Sequence, residues 1–152
     1  MKTKIFSSLL SFVALGVLWC CSVLSASAQV QVDHYYIISN VSNGKVLSTG
    51  GKDAKDAPLV GETLQKNSPN QLWQLKKSEP DAVALYNPFA ELAVDLAIKS
   101  NKGPLLWSLD VTNPNQQLIL EPEGNNFRLR AASYQHEELY LAVTSGGRVM
   151  LE

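Results

Sequence analysis

Ala90-Glu91-Leu92-Ala93-Val94-Asp95-Leu96-Ala97-Ile98-Lys99 is the stretch on which the fold turns. Its composition favours a helix, because Ala, Glu, Leu and Lys are good helix formers. Its pattern does not. The large apolar residues stand at 92, 94, 96 and 98. That period of two lines them along one face of a strand, whereas a helix needs spacings of three and four. Propensity differences are below about 0.7 kcal/mol per residue, and burial of an apolar side chain outweighs them. Residues 92–98 therefore read as a strand.

Working outward, the same pattern recurs. Lys45-Val46-Leu47-Ser48-Thr49 aligns with Glu91-Leu92-Ala93-Val94-Asp95, and both align with Tyr140-Leu141-Ala142-Val143-Thr144, at offsets of 46 and 49 residues. Downstream, Pro58-Leu59-Val60 matches Pro104-Leu105-Leu106. Further on, Ser68-Pro69-Asn70-Gln71-Leu72-Trp73 matches Asn113-Pro114-Asn115-Gln116-Gln117-Leu118. Features that keep one order and nearly one spacing mark an internal repeat.

Each unit reads as β. Strands are expected at 35–39, 46–49, 59–64 and 72–76 in the first unit. In the second they are expected at 83–86, 92–98, 105–109 and 118–121, and in the third at 127–130, 140–144 and 148–151. Between them lie turn formers: Ser42-Asn43-Gly44, Gly50-Gly51, Asn87-Pro88, Asn101-Lys102-Gly103, Gly124-Asn125-Asn126 and Ser145-Gly146-Gly147. Units of four, four and three strands predict an all-β fold, a β-trefoil of three four-stranded units with the third cut short. Six strands would close a short barrel and three hairpins would cap it. No unit can bury its apolar face alone, so the core sits on a shared axis. Its expected members are Ile37, Leu47, Leu59, Trp73, Leu92, Leu105, Leu118, Leu129, Leu141 and Val149.

The first 28 residues read as an export signal. Lys2 and Lys4 precede an apolar run from residue 5 to 24, and Ala26-Ser27-Ala28 offers a cleavage site before Gln29. The run is long enough to span a bilayer, but the small-residue site favours cleavage and secretion, or release to a periplasm or cell surface. Cys20 and Cys21 lie inside the run, and the residue before Cys20 is Trp19, which argues against lipidation. Residues 29–152 form one expected domain of 124 residues without cysteine, so it has no disulfide, thiol nucleophile or cysteine zinc site. Of 13 basic residues two belong to the leader, leaving 11 against 14 acidic ones. That balance excludes a nucleic-acid footprint. Once the signal is cut, no membrane span is expected.

Asn70-Gln71-Leu72-Trp73 is a full Gln-x-Trp motif, and Asn115-Gln116-Gln117-Leu118 is the same motif with Leu for Trp. With the opening Tyr36-Ile37-Ile38-Ser39-Asn40 and Asn43-Gly44-Lys45-Val46-Leu47, the chain resembles the ricin-type β-trefoil lectins over nearly all of residues 32–152. The third unit stops before its own Gln-x-Trp, so the barrel lacks one strand. A missing continuation, a partner chain and a strand at 29–33 are three ways to close it.

The resemblance implies one saccharide site, in the second unit. Asp95 would accept hydrogen bonds from vicinal hydroxyls, and Trp107 would stack on the sugar's C–H face. Asn113 or Asn115 would add a polar contact, with Gln116 supporting Asp95. Carboxylate–hydroxyl bonds are charge-assisted and therefore strong, and a flat ring gives apolar contact at little entropic cost. The first unit has Thr49 at the Asp position and Glu62-Thr63 where the ring belongs, and the third has Thr144. Competing readings stand beside these: Asp95 as an exposed charge, Trp107 as core filling with Leu105 and Leu109, and Gln71 and Gln116 as partners for turn backbone.

His34 and His136 lack metal-site spacing, and no cofactor or metal is expected. The neighbouring Glu137 and Glu138 make a poor acid–base pair. Ser48, Ser133 and Ser145 lack a nucleophile elbow, and no phosphate loop occurs. The expectation is a non-catalytic carbohydrate-binding module for a galactose-like residue or a polysaccharide, gaining avidity through self-association or a partner protein. The alternative is a protein-interaction or inhibitor-type trefoil that binds no sugar.

Overall fold

The computed structural model describes residues 3–6 and 30–152, except 80, 99, 101 and 133–137. The rest of the leader, Gln29, Ser133, His136 and Glu137 thus lie outside the described residues.

The described residues form twelve strands: β1 (Thr3–Phe6), β2 (Tyr35–Asn40), β3 (Val46–Ser48), β4 (Val60–Glu62), β5 (Trp73–Lys77), β6 (Val83–Asn87), β7 (Leu92–Asp95), β8 (Leu105–Trp107), β9 (Leu118–Glu123), β10 (Asn126–Ala131), β11 (Leu141–Val143) and β12 (Val149–Leu151). All eleven strands expected from the sequence are there. The decisive stretch is a strand, but a short one: it stops at Asp95, and Ala97 takes a left-handed backbone with φ of 49°.

Antiparallel pairing closes a ring of six: β2 with β5, β5 with β6, β6 with β9, β9 with β10, β10 with β1, and β1 with β2. Three hairpins, β3–β4, β7–β8 and β11–β12, stand outside it. This is the trefoil plan. The place of the third unit's last strand is taken by Thr3–Phe6, a segment that the sequence reads only as part of an export signal. Residues 30–33 lie elsewhere. The Gln31 N–H donates to the Tyr36 hydroxyl at 2.9 Å and the Asp33 N–H to Leu75 O at 2.6 Å, beside β5.

The core sits on the common axis. Trp73, Leu75, Leu85, Val94, Leu106, Leu118 and Leu129 are buried there, with Leu47 from the first hairpin and Leu141 and Val143 from the third. Nine of the ten expected core residues are buried; Ile37 is the exception. In β2 burial alternates through Tyr36, Ile38 and Asn40, so Ile37 points the other way. Trp73 also satisfies its indole N–H, which donates to Leu47 O at 3.0 Å. Buried Asn40 and Asn87 end the first strands of their units. Asn40 donates to Val143 O, and Asn87 to Pro69 O and Leu72 O. Each also accepts from the turn after it, at Ser42 N and at Phe89 N respectively. Their spacing of 47 residues gives the true offset between the first two units.

A polar cluster ties β9, β10 and residue 140 together. Arg130 Nε donates to Glu121 Oε1, and the Tyr140 hydroxyl donates to Glu121 Oε2 at 3.1 Å. The Arg128 guanidinium lies 3.6 Å from the centre of the Tyr140 ring. The hydrogen bond from Arg130 holds the Glu121 carboxyl below its ordinary value of 4.5. Folding therefore favours the carboxylate. The stabilisation is whole above the unfolded value and is lost as pH falls through the depressed folded value. Glu121→Gln should lower Tm by about 1–3 °C near neutral pH, given partial solvent screening. In melts from pH 7 to pH 3 its curve should merge with that of the parent chain at the acid end.

Candidate functional site

Asp95 and Trp107 come from the two strands of the second hairpin. Asp95 is opposite Leu105 and Ala93 is opposite Trp107. Residues directly opposite project to the same side, as do residues two apart along a strand. Asp95 and Trp107 therefore share one face as diagonal neighbours. Both line a cleft of about 340 Å³ together with Asp56, Ala97, Lys102, Asn113 and Asn115. Pockets of about 300 Å³ and above suit small ligands.

Asp95 is only 7% exposed, so it is not a loose surface charge. Its Oδ1 accepts from Ala97 N at 2.9 Å, a bond that the left-handed Ala97 makes possible. Its Oδ2 accepts from Asn113 Nδ2 at 3.3 Å and from Gln116 Nε2 at 3.5 Å. The carboxylate is oriented before any ligand arrives. Trp107 is 40% exposed, which removes the core-filling reading.

Gln116 is fully buried and cannot touch a ligand. Its Nε2 donates to Ser108 O at 2.8 Å, and its Oε1 accepts from Asp110 N at 2.9 Å. It pins the loop after β8 and supports Asp95 from behind. Asn113 divides its work. Its Oδ1 accepts from Asn115 N, capping the 3-10 turn at Pro114–Gln116, while its amide faces Asp95. The loop is stiffened further at Asp110. The hydroxyl and N–H of Thr112 both donate to that carboxylate and hold its pKa below the ordinary value.

The first unit uses the same frame with different chemistry. Gln71 Nε2 donates to Thr63 O, and Gln71 Oε1 accepts from Gln65 N. Ser48 is opposite Val60, as Asp95 is opposite Leu105, and the Ser48 hydroxyl accepts from Gly50 N at 3.0 Å. The residue at the Asp position is thus Ser48, not Thr49. The offset of 46 taken from the apolar run is one short of the real 47. Glu62, opposite Val46, stands where Trp107 stands. In the third unit the Thr144 hydroxyl accepts from Arg148 N.

Sequence reasoning missed one wall of the cleft because it belongs to another unit. The loop before β4 packs on β8: Asp56 N donates to Leu106 O and Leu106 N to Ala57 O, both at 2.8 Å. This brings Lys55 to 5.6 Å from the Trp107 ring centre and pairs Asp56 with Lys102. The only hint in the sequence is the charged run Lys52-Asp53-Ala54-Lys55-Asp56, and nothing in it names the neighbour. Among the described residues no three His, Cys, Asp or Glu side chains gather as a metal site, and His34 is exposed.

The family described as ricin-type beta-trefoil lectin domain-like matches residues 23–106. The chain belongs to that family. The match stops one residue short of Trp107, so the fold is carried by the family and the site by the geometry above. No curated protein is a significant match to the sequence. Among solved structures, the designed threefold-symmetric protein ThreeFoil superposes with a TM-score of 0.66 at 21% identity, covering 77% of this chain and 87% of that one. The Polyporus squamosus lectin, bound to the human-type influenza-binding epitope Neu5Aca2-6Galb1-4GlcNAc, gives 0.61 at 16% identity, over 82% of this chain and 45% of that one. The Haemophilus ducreyi cytolethal distending toxin gives 0.63 at 16% identity, over 87% and 84%. The ricin-type domain is thus a lectin-like one, and these neighbours share its fold.

Proposed function

We propose that this chain is an exported, non-catalytic carbohydrate-binding module with a single saccharide site between Asp95 and Trp107. The observation that carries the reading is the pre-oriented Asp95 carboxylate sharing a face and a cleft with a half-exposed indole. The carboxylate takes a vicinal hydroxyl pair, Trp107 takes the apolar face of the ring, and Asn113 or Asn115 takes a further hydroxyl. A galactose-like residue, free or within a polysaccharide, has that combination of a hydroxyl edge and an apolar face. The Polyporus squamosus lectin was itself solved with a galactose-containing epitope.

A hydrolytic role fits poorly. Glycosidases need two carboxyl groups set across the scissile bond. Here the cleft's second carboxylate, Asp56, is paired with Lys102, and no other stands opposite Asp95 among the described lining residues. Export rests on Lys2, Lys4, the apolar run and the small residues before Gln29.

The test is a glycan array on the purified chain. Trp107→Ala should weaken binding of any hit about tenfold, the loss of one stacking contact. An array with no hit would reject the reading. It would favour the protein-interaction alternative, which Ser48 and Glu62 at the first unit's Asp and Trp positions also support.

A further inference from the structure

The six-stranded ring contains one strand from outside the repeats. In the first unit β5 lies between β2 and β6, and in the second β9 lies between β6 and β10. The third counterpart must lie between β10 and β2. Thr3–Phe6 occupies that slot, antiparallel to both walls. It is in continuous register with β2 (Thr3 with Asn40, Lys4 with Ser39, Ile5 with Ile38, Phe6 with Ile37), and Thr3 also pairs with Phe127 of β10. Without a strand here, both walls would present free N–H and C=O groups at a sheet edge, a template for another strand. Residues 30–33 cannot take the place while they are bonded to Tyr36 and Leu75.

We propose that the slot between Tyr35–Asn40 and Asn126–Ala131 is a strand-acceptor site, and that the chain's own N-terminal segment, through Thr3–Phe6, is its occupant. The segment closes the barrel while it stays on the chain, and cleavage before Gln29 would open the slot. Its removal leaves a slot that takes a free copy of the same strand by β-augmentation.

Cysteine pairs in the full chain, with Cys20 and Cys21 replaced by Ser, test the register. Directly opposite residues of antiparallel strands lie about 4.5–5.5 Å apart at Cα, within disulfide range. Lys4→Cys with Ser39→Cys should cross-link within one chain at least about tenfold faster than Lys4→Cys with Ile38→Cys, because a one-residue slip turns the side chain to the other face. Equal rates, no cross-link in either pair, or cross-links only between two chains would overturn the assignment. A second measurement offers a labelled peptide of residues 1–8 to the full chain carrying Ile5→Pro, which removes a ladder donor and weakens the native strand. Saturable binding, at least about tenfold tighter than to the parent chain with its slot filled, supports the proposal. Equal binding to both, or binding to neither, refutes it.

Discussion

Asp95→Ser is expected to abolish saccharide binding while the domain stays folded. The first unit is the built-in control for this substitution. There Ser48 occupies the same place on its hairpin, and its hydroxyl accepts the N–H two residues on, as Asp95 accepts that of Ala97. A serine at 95 keeps that bond. Gln116 keeps its two backbone partners, just as Gln71 does beside Ser48. What disappears is the negative charge and the oxygen facing Asn113. Hydrogen bonds to charged groups are worth about 1.5–3 kcal/mol each. Losing two to a vicinal diol should cut affinity about 100-fold or more. Calorimetric or surface-binding titration with the best array hit measures the loss, and a melt should place Tm within a few degrees of the parent. Unchanged affinity would remove Asp95 from the site, and the saccharide reading with it.

Gly147→Ala should strongly destabilise the domain. Gly147 holds a left-handed backbone with φ of 83°, and an added Cβ would sit 2.4 Å from the carbonyl oxygen of Gly61. The obstacle is backbone, so no side-chain rotation relieves it. Moving apart would break the bond from Gly61 N to Gly147 O, 2.7 Å long, which joins the first and third hairpins. Left-handed strain alone costs about 1–2 kcal/mol for a residue with a side chain. With the overlap and the broken bond, the total should reach about 3 kcal/mol or more, a drop in Tm on the order of 10 °C. Gly124→Ala is the comparison. It has a similar positive φ of 61° but open space around its Cβ, so it should cost only the strain. Thermal melts of the two variants separate the two effects.

What the sequence makes legible follows from how local the cause is. The eleven strands are marked by short apolar runs between Gly, Asn, Ser and Pro turns, so local pattern finds them. The Asp95 carboxylate, Asn113 and Gln116 all belong to one unit, and the Gln-x-Trp frame leads to them. The errors have a different origin. The sequence puts Thr49 where Ser48 belongs because apolar runs align equally well one residue apart, and the strand pairing with the bond to Gly50 fixes the register. Ile37 reads as core from sequence because Tyr36, Ile37 and Ile38 are all apolar and carry no alternation to read. Asp56 and Lys55 meet the cleft through pairing between units, and Thr3–Phe6 meets β10 across nearly the whole chain. Nothing in the residues neighbouring either segment names its partner.

The ring also sets an order of assembly. Two of its joints, β5 to β6 and β9 to β10, are hairpins between strands adjacent in sequence, and such contacts form early. Joining Thr3 to Phe127 must wait until more than a hundred intervening residues are gathered, the longest loop closure among the described pairings. Thr3–Phe6 thus knits last on its β10 side, and the other strands would stand as an open arc before the ring became a cylinder.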